Sequence, residues 1–156
     1  MFDLFDGLPV HALVVHAVVV LAPLTALLAV MYAVAPARRL GLRWPLALLA
    51  VATGVTGFVA GESGEKLEHR LGGGNPTLHE HTEAGDLLKV ACVIFMVLVL
   101  LAVFVLLRAD RKAPARSPLA IVTAVVLVLA SVGVCYQTVV TGHTGARAVW
   151  GDQITP

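Results

Sequence analysis

Four long apolar runs constrain this chain more than any other feature of its sequence. Each run is continuous and approaches the ~20 residues that an α-helix needs to cross the hydrocarbon core of a bilayer, whereas the strands of a membrane β-barrel alternate apolar and polar residues. Hydrophobic residues make up 58% and charged residues 13% of the 156 residues, against about 50% and 25% in soluble domains. The sequence therefore predicts an all-α integral membrane protein, a single four-helix bundle domain over residues 1–156.

Polar turns between the runs give the predicted bounds of the helices. We expect helices over residues 9–35, 45–66, 81–108 and 118–142. Short basic turns join the first helix to the second and the third to the fourth, which favours an up-down-up-down arrangement. The segment Met1–Gly7 carries two acids and no base, unlike the basic start of a signal peptide, so we expect the first helix to be retained.

The distribution of Lys and Arg predicts which helix ends face the cytoplasm. Seven of the eleven lie in the two basic turns, Pro36–Trp44 and Arg108–Ser117, and four lie near the opposite helix ends. Because short loops rich in Lys and Arg tend to stay in the cytoplasm, both termini and the loop between the second and third helices are expected to be extracytoplasmic. The net charge of +1 leaves no basic surface for nucleic acid.

All six histidines fall at the end of the bundle that is predicted to be extracytoplasmic. They are His11, His16, His69, His79, His81 and His143. Ionisable or coordinating groups within membrane helices are costly and usually mark function. His16 lies about 10 Å beyond Pro9 in an apolar span, and we expect it to face the bundle interior. His11 is offset from His16 by about 140° around the helix, so the two need not share a ligand.

Two further features lie at the same end. Glu62 closes the second helix, and a cluster of His and Glu side chains is compatible with copper or zinc. The second helix also carries a stripe of glycines on one face, namely Gly54, Gly57, Gly61 and Gly64. Such a stripe fits either close helix packing or a flat clearance beside a planar cofactor.

Motifs over nearly the whole chain resemble a bacterial four-helix membrane family labelled domain of unknown function 2231. Residues 8–16 resemble the family's opening LPxHPxxVHFP motif, and residues 56–62, 80–85 and 142–150 resemble its Gly-Glu, Glu-His and closing Gly-His motifs. The resemblance implies a multi-pass protein of the bacterial cytoplasmic (inner) membrane. It also supports a set of five candidate site residues, His11, His16, Glu62, His81 and His143.

The leading functional hypothesis is a b-type haem electron-transfer protein. A haem held without covalent attachment needs axial imidazoles on facing helices, and His16 with His81 or His143 can supply them. The other expected haem contacts are small residues beside the porphyrin and cations beside the propionates: Gly57, Gly61, Arg147 and Lys89. The expected partners are the lipid bilayer and a redox partner or respiratory complex at the outer face.

Two alternatives stay open. In one, the protein binds copper or zinc at the outer face with the five residues that the family resemblance supports. In the other, it is a structural or assembly subunit of a respiratory complex, and its histidines only satisfy packing. An absorption spectrum separates the first hypothesis from these two, because bound haem gives a Soret band.

Overall fold

The computed structural model describes residues 4–5, 8–72, 75–107 and 117–151, and these contain four long helices. Helix α1 covers Val10–Val34, α2 Arg39–Arg70, α3 Pro76–Leu101 and α4 Pro118–Trp150. A 3-10 turn (Pro36–Arg38) links α1 to α2, and a π-helical turn (Ala102–Leu106) continues α3. Before α1, the two-residue strands Leu4–Phe5 and Leu8–Pro9 pair antiparallel.

The helices form a square in which each packs against its neighbours along the chain and α1 packs against α4. All four are long and apolar enough to cross a membrane, which confirms the predicted all-α membrane bundle. The start of α1 meets the end of α2, and the start of α3 meets the end of α4, so neighbouring helices run antiparallel. Helices α1 and α3 lie on a diagonal of the square, and the side of the membrane on which each end lies stays a prediction.

Several helix ends differ from the predicted bounds, among them the end of α2, which lies at Arg70 and not at residue 66. Helix α2 begins at Arg39 and carries Pro45 inside it, whereas we expected the helix to begin at that proline. Helix α3 begins at Pro76, because the side chain of Asn75 accepts a hydrogen bond from the N–H of Thr77 at 3.0 Å and caps the helix. Helix α4 continues beyond the expected end at residue 142 to Trp150. The Glu-His motif and the closing Gly-His motif therefore both lie within helices.

The glycine stripe of α2 packs directly against α3. A Cβ added to Gly57 would lie 2.6 Å from Cβ of Cys92, and one added to Gly61 would lie 2.7 Å from Cδ of Lys89. Such distances require something to shift, so both positions depend on the absence of a side chain. The space that we expected beside Gly57 and Gly61 for a porphyrin is filled by side chains of α3.

Candidate functional site

The two histidines that meet inside the bundle are His11 of α1 and His81 of α3. Their ring centroids lie 5.9 Å apart, with an angle of 73° between the ring planes. Both side chains are partly buried. Because α1 and α3 lie on a diagonal of the square, the pair spans the centre of the bundle at the end where α1 and α3 begin.

A glycine on the next helix faces each of the two rings. A Cβ added to Gly64 of α2 would lie 3.1 Å from Cε1 of His11, and one added to Gly145 of α4 would lie 2.9 Å from Cε1 of His81. The two helical hairpins thus repeat one arrangement, a histidine on the first helix and a glycine beside it on the second. The glycines let both imidazoles lie within the bundle instead of outside it.

The hydrogen bond of His11 determines where its ring carries a proton. Nδ1 of His11 lies 3.0 Å from the carbonyl oxygen of Ala60 on α2. Because a carbonyl can only accept, Nδ1 must donate. In the neutral imidazole the lone pair is then on Nε2.

A threonine determines in the same way where the ring of His81 carries its proton. Nδ1 of His81 lies 3.2 Å from Oγ1 of Thr144, and the Thr144 hydroxyl donates its own proton to the carbonyl oxygen of Thr141 at 3.0 Å. Oγ1 of Thr144 must therefore accept from Nδ1. In the neutral ring the lone pair of His81 is therefore also on Nε2.

The prediction that His16 faces the bundle interior is wrong. His16 is exposed, and its Nδ1 lies 2.6 Å from the carbonyl oxygen of Ala12 in its own helix. The buried face of α1 passes through Val18 and Ala22, and a step of seven residues back from Val18 reaches His11, which lies on the same face. His16 lies within the first helix as predicted, but its side chain does not point toward the bundle interior.

His143 does not join the pair either. It is exposed, whereas the next residue, Thr144, is buried and contacts His81. His69 is exposed as well, in agreement with its expected place outside the site. The predicted convergence of His16, His81 and His143 is therefore replaced by the pair of His11 and His81.

With this geometry in place, comparisons with known proteins identify the family. A family model described as "Predicted membrane protein (DUF2231)" matches residues 7–156. The chain belongs to the DUF2231 family. This match confirms the resemblance that the motifs indicated. No curated protein and no solved structure is detectably similar to the chain.

Glu62 of this DUF2231 protein belongs to an ion cluster between α2 and α3. Nζ of Lys89 lies 2.6 Å from a carboxylate oxygen of Glu65, 3.0 Å from one of Asp86 and 3.1 Å from one of Glu62. The Lys89 side chain is 17% exposed, and its aliphatic stem runs over Gly61. The lysine thus extends its ammonium group along the α2–α3 interface to a ring of carboxylates.

Other charged side chains at this end pair at the surface. His79 lies 3.1 Å from Glu68, and Arg147, which we expected beside a haem propionate, lies 3.5 Å from Glu80. Exposed pairs of this kind contribute between about 0 and 1 kcal/mol to stability. They hold the start of α3 against the ends of α2 and α4.

The described residues contain no group of three or more His, Cys, Asp or Glu side chains placed to hold a metal ion. In the DUF2231 protein the five residues expected to bind copper or zinc are thus divided. His11 and His81 meet, Glu62 pairs with Lys89, and His16 and His143 are exposed. The arrangement that can act chemically is a site of two imidazoles.

Proposed function

We propose that this DUF2231 membrane protein binds a copper ion through the Nε2 atoms of His11 and His81. The observation that carries the proposal is the shared hydrogen-bond pattern, in which Nδ1 of each ring donates to a protein oxygen. Metal-ligating histidines almost always have such a partner on the nitrogen that does not bind the metal. The partner fixes the ring and leaves the other nitrogen with a free lone pair.

The spacing of the rings supports a small ion between them. Two imidazoles that bind one metal through nitrogens at about 2 Å have ring centroids about 5 Å apart at a tetrahedral angle and just over 6 Å apart when the two bonds are in line, and the centroids of His11 and His81 are 5.9 Å apart.

The number of ligands favours copper over zinc. Zinc takes four protein ligands in structural sites and three in catalytic sites, and the described part of the chain offers no group of three. Imidazole is a good ligand for copper, and cuprous copper accepts two ligands in line. In the predicted orientation, the site would take up or release copper at the extracytoplasmic face.

A b-type haem with a role in electron transfer is the second candidate, favoured by the number of imidazoles alone. Haem iron takes two axial ligands from the protein, and the bundle offers two on facing helices. The packing opposes this candidate, because Gly64 and Gly145 close on the imidazoles and α2 meets α3 closely at Gly57 and Gly61. A porphyrin would have to replace these helix contacts.

The test is the copper content and absorption spectrum of purified protein. After loading with cuprous copper and washing with a chelator, we expect one copper ion per chain and no Soret band. His11→Ala and His81→Ala should each lose the copper, while the exposed His16→Ala and His143→Ala variants should keep it. A Soret band in the wild type would identify haem instead. Copper that persists in both His11→Ala and His81→Ala would exclude the proposed ligands.

A further inference from the structure

The opposite end of the bundle carries an arginine beside two aromatic rings. Cζ of Arg43 lies 5.8 Å from the ring centroid of Trp44 and 5.2 Å from that of Phe104. The two rings themselves meet edge to face, with centroids 5.7 Å apart. Contacts with aromatic rings hold the guanidinium in place without neutralising its charge.

Arg43 differs from the nearby Arg39 in how its donors are used. Arg39 donates from Nε to the carbonyl oxygen of Tyr32 at 3.0 Å and from Nη2 to that of Ala33 at 3.2 Å. Nε of Arg43 is buried and has no hydrogen-bond partner within the described residues. A buried charged donor without an acceptor is costly, so this site calls for an anion.

The acidic residues of the described ranges all lie toward the other end of the bundle. They are Glu62, Glu65, Glu68, Glu80, Glu83 and Asp86. Asp110 is the one acid of the sequence in the turn between the third and fourth helices, and it lies outside the described residues. A variant of Asp110 therefore belongs in any test of what neutralises Arg43.

The surface beside Arg43 is apolar and suited to lipid. Leu40, Trp44 and Leu48 are 73%, 61% and 67% exposed, and their spacing of four places them along one face of α2. Tryptophan is enriched where a membrane meets water, with its ring at the level of the lipid headgroups. Arg38, which is exposed at the start of α2, adds a second cation at the same end.

We propose that Arg43, with Trp44 and Arg38, binds the phosphate of an anionic phospholipid whose acyl chain lies along the stripe of Leu40, Trp44 and Leu48. The phosphate pairs with the positive charge of the Arg43 guanidinium, and the acyl chain covers the exposed apolar stripe. The Lys/Arg distribution predicts that this end faces the cytoplasmic leaflet, where anionic headgroups attract basic residues. The inference is independent of the copper site at the other end.

Trp44 provides a local probe for this lipid. The chain has two tryptophans, so Trp150→Phe leaves Trp44 as the single one. This variant is placed in two kinds of phosphatidylcholine vesicle. One contains a small fraction of brominated phosphatidylglycerol, and the other contains the same fraction of brominated phosphatidylcholine. Brominated acyl chains quench the fluorescence of a nearby tryptophan. We expect preferential quenching by brominated phosphatidylglycerol. Arg43→Gln should weaken the apparent affinity for it roughly tenfold, whereas Arg147→Gln at the other end should leave it unchanged.

Two further variants and a competition with inorganic phosphate complete the quenching experiment. Arg43→Lys keeps the charge without the planar guanidinium and should bind between the wild type and Arg43→Gln, so it also serves if Arg43→Gln does not fold. Asp110→Asn and millimolar inorganic phosphate should leave the lipid preference intact. Equal quenching by the two lipids, equal losses in Arg43→Gln and Arg147→Gln, or full displacement by inorganic phosphate would each overturn the proposal. So would a clearly stronger lipid preference in Asp110→Asn, because it would show that this carboxylate neutralises Arg43.

Discussion

The hydroxyl group of Thr144 sets which nitrogen of His81 is free. It donates its single proton to the carbonyl of Thr141 and therefore accepts from Nδ1 of His81 at 3.2 Å. Nδ1 of His11 donates to the carbonyl of Ala60, so Nε2 of this ring is free as well. Two histidines from different hairpins thus present the same nitrogen, and this correspondence, more than their proximity, supports a shared ligand.

Replacement of Thr144 by valine should weaken copper binding. Thr144→Val keeps the shape of the side chain but removes the acceptor for Nδ1 of His81, and loss of such a partner typically costs a factor of about 10 to 100 in metal affinity. Thr144→Ser retains the hydroxyl and should bind within a few-fold of the wild type. Competition with a cuprous chelator measures both affinities, and equal affinities for Thr144→Val and wild type would contradict the role given to this hydroxyl.

The sequence predicts the number of spans and the level of the histidines, because both depend on position along a helix. A bilayer requires long apolar runs, and these are visible directly. The direction in which a side chain points depends instead on helical phase. On α1 the buried residues Val18, Ala22 and Thr25 share a phase with His11 and not with His16. A polar Thr25 among alanines marks the packed face of α1, and two steps of seven residues back from it reach His11.

The helix ends and the glycine roles could not be predicted from local signals. Glycine favours the end of an isolated helix, yet Gly142 and Gly145 lie within α4, because packing and the threonine hydroxyls stabilise its last turns. A Cβ added to Gly145 would meet the ring of His81, whereas a Cβ added to Gly142 would meet no atom within 4 Å. Only the arrangement of the neighbouring helices distinguishes these two glycines.

Alanine substitutions at these two glycines should therefore have opposite effects. Gly145→Ala places a Cβ 2.9 Å from the His81 ring, and overpacking of this kind costs about 1–3 kcal/mol. Gly142→Ala adds a methyl group in open space and should stabilise the helix by about 0.5–1 kcal/mol. Denaturant unfolding in detergent measures both changes, and copper affinity should fall only in Gly145→Ala. Equal effects at the two positions would mean that Gly145 has no special contact with the imidazole.

Removal of the ammonium group of Lys89 should destabilise the protein. Lys89→Met keeps the stem over Gly61 but leaves the carboxylates of Glu62, Glu65 and Asp86 facing one another. These carboxylates are 40–44% exposed, so we expect a loss of about 1–2 kcal/mol rather than the larger cost of a fully buried charge. Lys66→Met, at an exposed lysine of α2, is the matched control and should change stability little. The comparison fails if both variants unfold at the same denaturant concentration.

The last prediction concerns the side of the membrane that the histidine pair faces. The bias of seven Lys and Arg residues to four predicts that the loop between α2 and α3 is extracytoplasmic. Cys92→Ala and Cys135→Ala remove the two native thiols, and single cysteines are then introduced either in the segment Gly72–Pro76 or in Arg38–Arg43. An impermeant thiol reagent added to whole cells should label the first position and not the second. Labelling of the second position alone would reverse the topology, and the copper site would then face the cytoplasm.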